Sequence, residues 1–134
     1  MPQRLALGWI VQGVAGVLGL GGLLLGAGLV LGGKERFGGP SFNTARALPG
    51  EQDTWGGALV VLGLIVLWAT FGKAHYRTLS ATLFAEGVWF MFFALSLAQA
   101  AMQIPTAAAT GPFAYGMLAG SCIVLAVGLR RLPQ

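Results

Sequence analysis

The sequence predicts an all-α membrane protein, with four transmembrane helices in a small bundle and both the N and C termini cytoplasmic. Three observations predict it. First, 56% of the 134 residues are hydrophobic and only 9% are charged, whereas a soluble domain carries about 25% charged residues and needs them to cover its surface. Second, the mean hydropathy is +0.77. Third, the few charges bracket apolar runs long enough to cross a bilayer, which takes about 20 helical residues. This composition excludes a soluble globular domain, a disordered tail and a disulfide-rich secreted module. Transmembrane strands would alternate apolar and polar residues, and Leu23-Leu24-Leu25 and Leu59-Val60-Val61-Leu62 do not. Lipid offers no partner to backbone N–H and C=O groups, so spanning helices follow.

Arg4 and Lys34 bracket the first charge-free run, which places span one at residues 7–31. That run is too long and too glycine-rich for a cleaved signal peptide. Asp53 and Lys73 bracket the second, residues 55–72, with Asp53 and Thr54 as candidate N-caps and Gly72 at its end. From Arg77 to Arg130 a single charge, Glu86, interrupts a stretch too long for one crossing. Gln103-Ile104-Pro105 and Thr110-Gly111-Pro112 divide it, because proline ends or begins helices. Span three is then residues 78–102 and span four residues 112–129, and residues 1–134 make one four-helix transmembrane domain.

With the N-terminus inside, the inner side carries Arg4, Lys73, Arg77, Arg130 and Arg131. The outer side carries Lys34, Arg36 and Arg46, with Glu35, Glu51 and Asp53 beside them. Five basic residues against three favour this orientation. The net charge of +4 is scattered along the chain rather than gathered on one face, which argues against nucleic acid as a partner. The outside loop, residues 34–53, is too short for a domain of its own. Its turns at Pro40 and Pro49 return it to the membrane surface, where Phe37, Phe42 and Trp55 are expected at the headgroup level. The loop is a connector or a contact for a partner.

No pattern of catalytic residues appears, and no metal or cofactor is expected. His75 has no companion histidine, cysteine or carboxylate with ligand spacing. Walker, dinucleotide-binding and nucleophile-elbow motifs are missing from the sequence. Glu86 is the most informative residue, an acid about two turns into span three. A charged side chain at that depth costs on the order of 2.5 kcal/mol or more. Counting depth from the inner face, Gln12 in span one and Ser121 in span four lie near its level, so a hydrogen-bonded cluster of Gln12, Glu86 and Ser121 around a neutral carboxyl is expected. A packing role and a role in ion passage both fit such a cluster.

Span one holds eight glycines and Gly32 follows just past its end, with four-residue spacing at Gly22 and Gly26 and at Gly28 and Gly32; span four repeats the spacing at Gly116 and Gly120. Small residues let helix backbones approach, and close packing is what drives association in lipid. These faces serve packing within one bundle or between subunits. On span three, Ala94, Ala98 and Ala101 form a small-residue stripe, while Phe84, Trp89 and Phe92 suit the lipid side.

The outside loop carries a further pattern: Arg36-Phe37-x-x-Pro40-Ser41-Phe42, then Leu48-Pro49-Gly50, then Thr54-Trp55-Gly56. In these residues the first half of the chain resembles small four-span membrane proteins encoded by phages of actinobacteria. The resemblance implies a holin-like protein, one that gathers in the cytoplasmic (inner) membrane as a homo-oligomer and permeabilises or depolarises it during host lysis. It implies no catalytic residue. The alternatives are a non-lytic protein acting in superinfection exclusion and a small accessory subunit bound to other proteins of a membrane complex.

Overall fold

The computed structural model describes residues 2–32, 52–72, 76–103 and 110–131. They form four helices: α1 (Pro2–Leu31), α2 (Gln52–Phe71), α3 (Tyr76–Gln103) and α4 (Thr110–Arg130). Among the described residues there is no strand, and all four helices are long and apolar enough to cross a membrane. The chain is therefore an all-α, four-span membrane protein. Loop residues Phe37, Pro40, Phe42 and Pro49, and also His75, lie outside the described residues.

The helices outrun the apolar spans at several ends. α1 begins at Pro2 rather than at residue 7, and α4 takes in Thr110 and Gly111 ahead of Pro112. Proline is tolerated in both first turns, where its missing N–H has no intrahelical partner to lose. Asp53 in the first turn of α2 and Arg130 in the last turn of α4 match the sign of the helix dipole at their ends.

The molecule is built as two antiparallel pairs. In the first, α1 and α2 meet backbone to backbone. A methyl group added at Gly26 would lie 2.6 Å from the Gly56 carbonyl oxygen, and one added at Gly63 would lie 2.6 Å from the Gly19 carbonyl oxygen. Gly26 thus faces Gly56, and Gly19 faces Gly63, the same seven-residue spacing on each helix read in opposite directions. In the second pair, Gly87 of α3 fits against Ala119 and Cys122 of α4. Two turns nearer the start of α3, the Ser80 hydroxyl donates to the Ala126 carbonyl oxygen at 2.7 Å.

The pairs join mainly where α2 meets α3. Trp55 lies with ring centroids 4.9 Å from Trp89, 5.3 Å from Phe92 and 5.5 Å from Phe93, and Tyr115 of α4 stacks on Phe93 at 5.5 Å. Trp55, expected at the headgroup level, is buried against α3. Trp89 is likewise drawn to Trp55 and half-buried, leaving Phe84 and Phe92 more exposed to lipid. Stacked aromatic rings gain about 0.5–1.5 kcal/mol beyond the area they bury, which tips these rings inward where two pairs have few other contacts. Along the opposite side the bundle stays open. A cleft of about 520 Å³ separates α1 from α4, lined by Val11, Val14, Ser121, Val124 and their neighbours.

Candidate intramembrane site

Glu86 projects from α3 to the junction of the two pairs. The residue is fully buried. Its carboxyl reaches α1 at Gly22, where only the missing side chain leaves it room. Neither carboxylate oxygen has a hydrogen-bond partner among the described residues. The same face of α3 holds two more buried, unpartnered polar atoms, Trp89 Nε1 and Ser96 Oγ. Positions 86, 89 and 96 follow the three- and seven-residue spacing of one helical face. Buried polar atoms are nearly always satisfied, so these three side chains, spaced along one face of α3, stand out within an apolar wall.

The expected cluster of Gln12, Glu86 and Ser121 is not assembled. Gln12 is exposed. It lies ten residues before Gly22, about 15 Å along the axis at 1.5 Å per residue. Depth counted from the first charge misplaced it, because α1 begins 20 residues before the level of Glu86 and α3 only 10 residues before it. Ser121 has the right depth and the wrong face. Its neighbours Ala119 and Cys122 face α3, while Ser121 is exposed and donates to the Met117 carbonyl oxygen in its own helix at 2.8 Å.

The glycines divide by function. Gly22 and Gly26 are buried inside the chain, one under the Glu86 carboxyl and one against α2. Gly28 and Gly32 are half-buried, and the Gly32 N–H donates to the Gly28 carbonyl oxygen at 3.0 Å as α1 ends. Gly116 and Gly120 have nothing within 4 Å of where a side chain would begin.

Comparison with protein families, with curated proteins and with solved structures gives no match. Among the described residues, no group of three or more His, Cys, Asp or Glu side chains is placed to hold a metal ion.

The sequence singles out Glu86 by its charge, assigns Trp89 to the lipid side and gives no role to Gly56, Gly63 or Ser96. A signal for Gly56 and Gly63 was present in the matched spacing of Gly19 to Gly26 and Gly56 to Gly63. Trp89 and Ser96 share a face with Glu86 at spacings readable once that acid is taken as a reference.

Proposed function

We propose that this chain is a holin-like, non-enzymatic protein of the cytoplasmic membrane. In this reading copies of the chain associate and depolarise the membrane during host lysis. The observation that carries the reading is the uncovered small-residue face of α4. Gly116 and Gly120 repeat the spacing that brings helices together, and among the described residues nothing lies within 4 Å of where their side chains would begin. The same spacing at Gly22 and Gly26 is already used within the chain, so α4 is the face left for a second copy. The open side between α1 and α4 lies beside it, and Glu86, Trp89 and Ser96 supply polar groups that a membrane protein with a purely packing role has no need of.

The test is induction in a bacterial host, with membrane potential followed by a voltage-sensitive dye and subunit association by crosslinking in membranes. Wild-type protein gives crosslinked species and loss of potential. Gly116→Ile with Gly120→Ile lowers both at matched protein level. Crosslinking and depolarisation unchanged by that pair would defeat the role of α4. An intact potential with the wild type at full expression would defeat the holin-like reading and leave the non-lytic alternatives.

A further inference from the structure

The end of the bundle where α3 begins and α4 ends carries a feature that membrane depolarisation does not call on. Arg77, in the first turn of α3, and Arg130, in the last turn of α4, line one cleft of about 370 Å³. Arg130 is held in place. Its Nε donates to the Ser80 hydroxyl at 3.2 Å, and its guanidinium carbon sits 5.8 Å from the centre of the Phe84 ring. Ser80 is itself fully buried and anchored to the Ala126 carbonyl oxygen. With Nε committed to Ser80, both Nη groups remain for another acceptor.

No acid inside the described chain fills that role. Asp53 begins α2 at the other end of the bundle, and Glu86 has no hydrogen-bond partner. The first N–H groups of α3 and the last carbonyls of α4 lie together here and offset one another, so the positive charge at this end is that of the two guanidinium groups. Toward the membrane from Arg130, Phe84 and Val127 are exposed apolar side chains. A fixed guanidinium, a second arginine and an apolar wall below them fit a group that is anionic at its head and apolar behind it. Basic pockets between transmembrane helices hold anionic lipid headgroups in this way.

We propose that the Arg77–Arg130 cleft binds the phosphate of an anionic phospholipid from the leaflet at this end of the bundle. Arg130 presents a fixed pair of donors, Arg77 closes the other side, and the acyl chains lie along Phe84 and Val127. The site is independent of the activity proposed above and is tested without it.

The experiment uses the full chain in neutral detergent, with native mass spectrometry and thermal unfolding as readouts. The probes are phosphatidylglycerol, phosphatidylcholine and inorganic phosphate. Phosphatidylglycerol is expected to remain bound and to raise Tm, and phosphatidylcholine and inorganic phosphate to do neither. Arg77→Gln, which leaves the Ser80–Arg130 contact untouched, lowers phosphatidylglycerol affinity by about fivefold, and Arg130→Gln by at least as much; fivefold corresponds to about 1 kcal/mol per arginine. Arg131→Gln removes the same charge from the next residue, which does not line the cleft, and leaves retention near wild type. Equal losses in Arg131→Gln and Arg77→Gln would overturn the site in favour of general basic charge. Equal retention of phosphatidylcholine would overturn the role of the anionic headgroup. Stabilisation by inorganic phosphate as large as that by phosphatidylglycerol would overturn the lipid as the source of the phosphate.

Discussion

At the scale of single residues, Glu86 and Gly22 are one unit. The carboxyl occupies the space that a side chain at Gly22 would fill, so Gly22→Ala places a methyl group where Oε1 now lies. The clash is with the far end of a flexible side chain, so its cost lies at the lower end of the about 1–3 kcal/mol that overpacking costs. Removing the carboxyl removes the conflict, because the next contact, the Gly63 Cα at 3.6 Å, is ordinary van der Waals distance. In a double-mutant cycle followed by denaturant unfolding in detergent, Gly22→Ala is expected to be costly alone and nearly free in the Glu86→Ala background. Equal cost in both backgrounds would show that the two residues do not touch. Glu86→Leu tests the same carboxyl from the other side. An orphaned buried polar group is a stability loss of about 1–3 kcal/mol, so the leucine variant is expected to unfold later than wild type while losing depolarisation. A less stable Glu86→Leu protein would mean that the carboxyl has a structural partner. A more stable one that still depolarises would mean that the carboxyl has no part in activity.

At the scale of elements, the glycines read as one feature in the sequence do three separate things. Gly19, Gly26, Gly56 and Gly63 let α1 and α2 touch through their backbones. Gly22 makes room for an acid, and Gly116 and Gly120 stay open. The spacing in α1 made a packing face legible, but spacing alone names no partner. The partner is fixed only by the matching seven-residue interval on α2, which becomes visible when both helices are read together. Substitutions separate the groups. Gly63→Ala would set a methyl group 2.5 Å from the Leu23 amide nitrogen, between two backbones that cannot move independently. Gly57→Ala, on the same helix, meets nothing within 4 Å. Unfolding measurements are therefore expected to show a loss of about 1–3 kcal/mol for Gly63→Ala and a change within about 0.5 kcal/mol for Gly57→Ala. Similar values for the two would remove the close α1–α2 approach from the account of stability.

At the scale of the whole molecule, the spans were legible because charge is so scarce that each Lys, Arg, Asp or Glu marks a helix end or a special site. What was not legible was relative depth and rotation. Hydropathy hardly differs between the faces of an apolar helix, so it cannot say that Ser121 turns outward while Cys122 turns in, or that α1 begins farther from the level of Glu86 than α3 does. Aromatic packing was misjudged for a related reason: Trp55 suits a headgroup layer and an aromatic cluster equally until Trp89 and Phe93 are seen beside it. The arrangement of the pairs also bears on orientation. The first half of α1 and the last half of α4 line one cleft, so the chain starts and finishes at the same end of the bundle. Charge gives the expectation for which side of the membrane that end occupies. Arg77, Arg130 and Arg131 gather there, with Arg4 and Lys73 assigned to the same side, against Lys34, Arg36 and Arg46 on the other, and basic residues near span ends are retained in the cytoplasm. A reporter active only in the cytoplasm is therefore expected to give signal when fused after Gln134 and none when inserted beside Pro49. Moving charge should move the balance: Arg130→Gln with Arg131→Gln leaves three basic residues on each side, and the fusion after Gln134 is then expected to report a mixed population. Signal at Pro49 and silence at Gln134 in the wild type would invert the molecule and place the Arg77–Arg130 cleft in the outer leaflet. An unchanged pattern in the double variant would mean that orientation is set by some other property of α1, the first helix to insert, and not by the tally of charges.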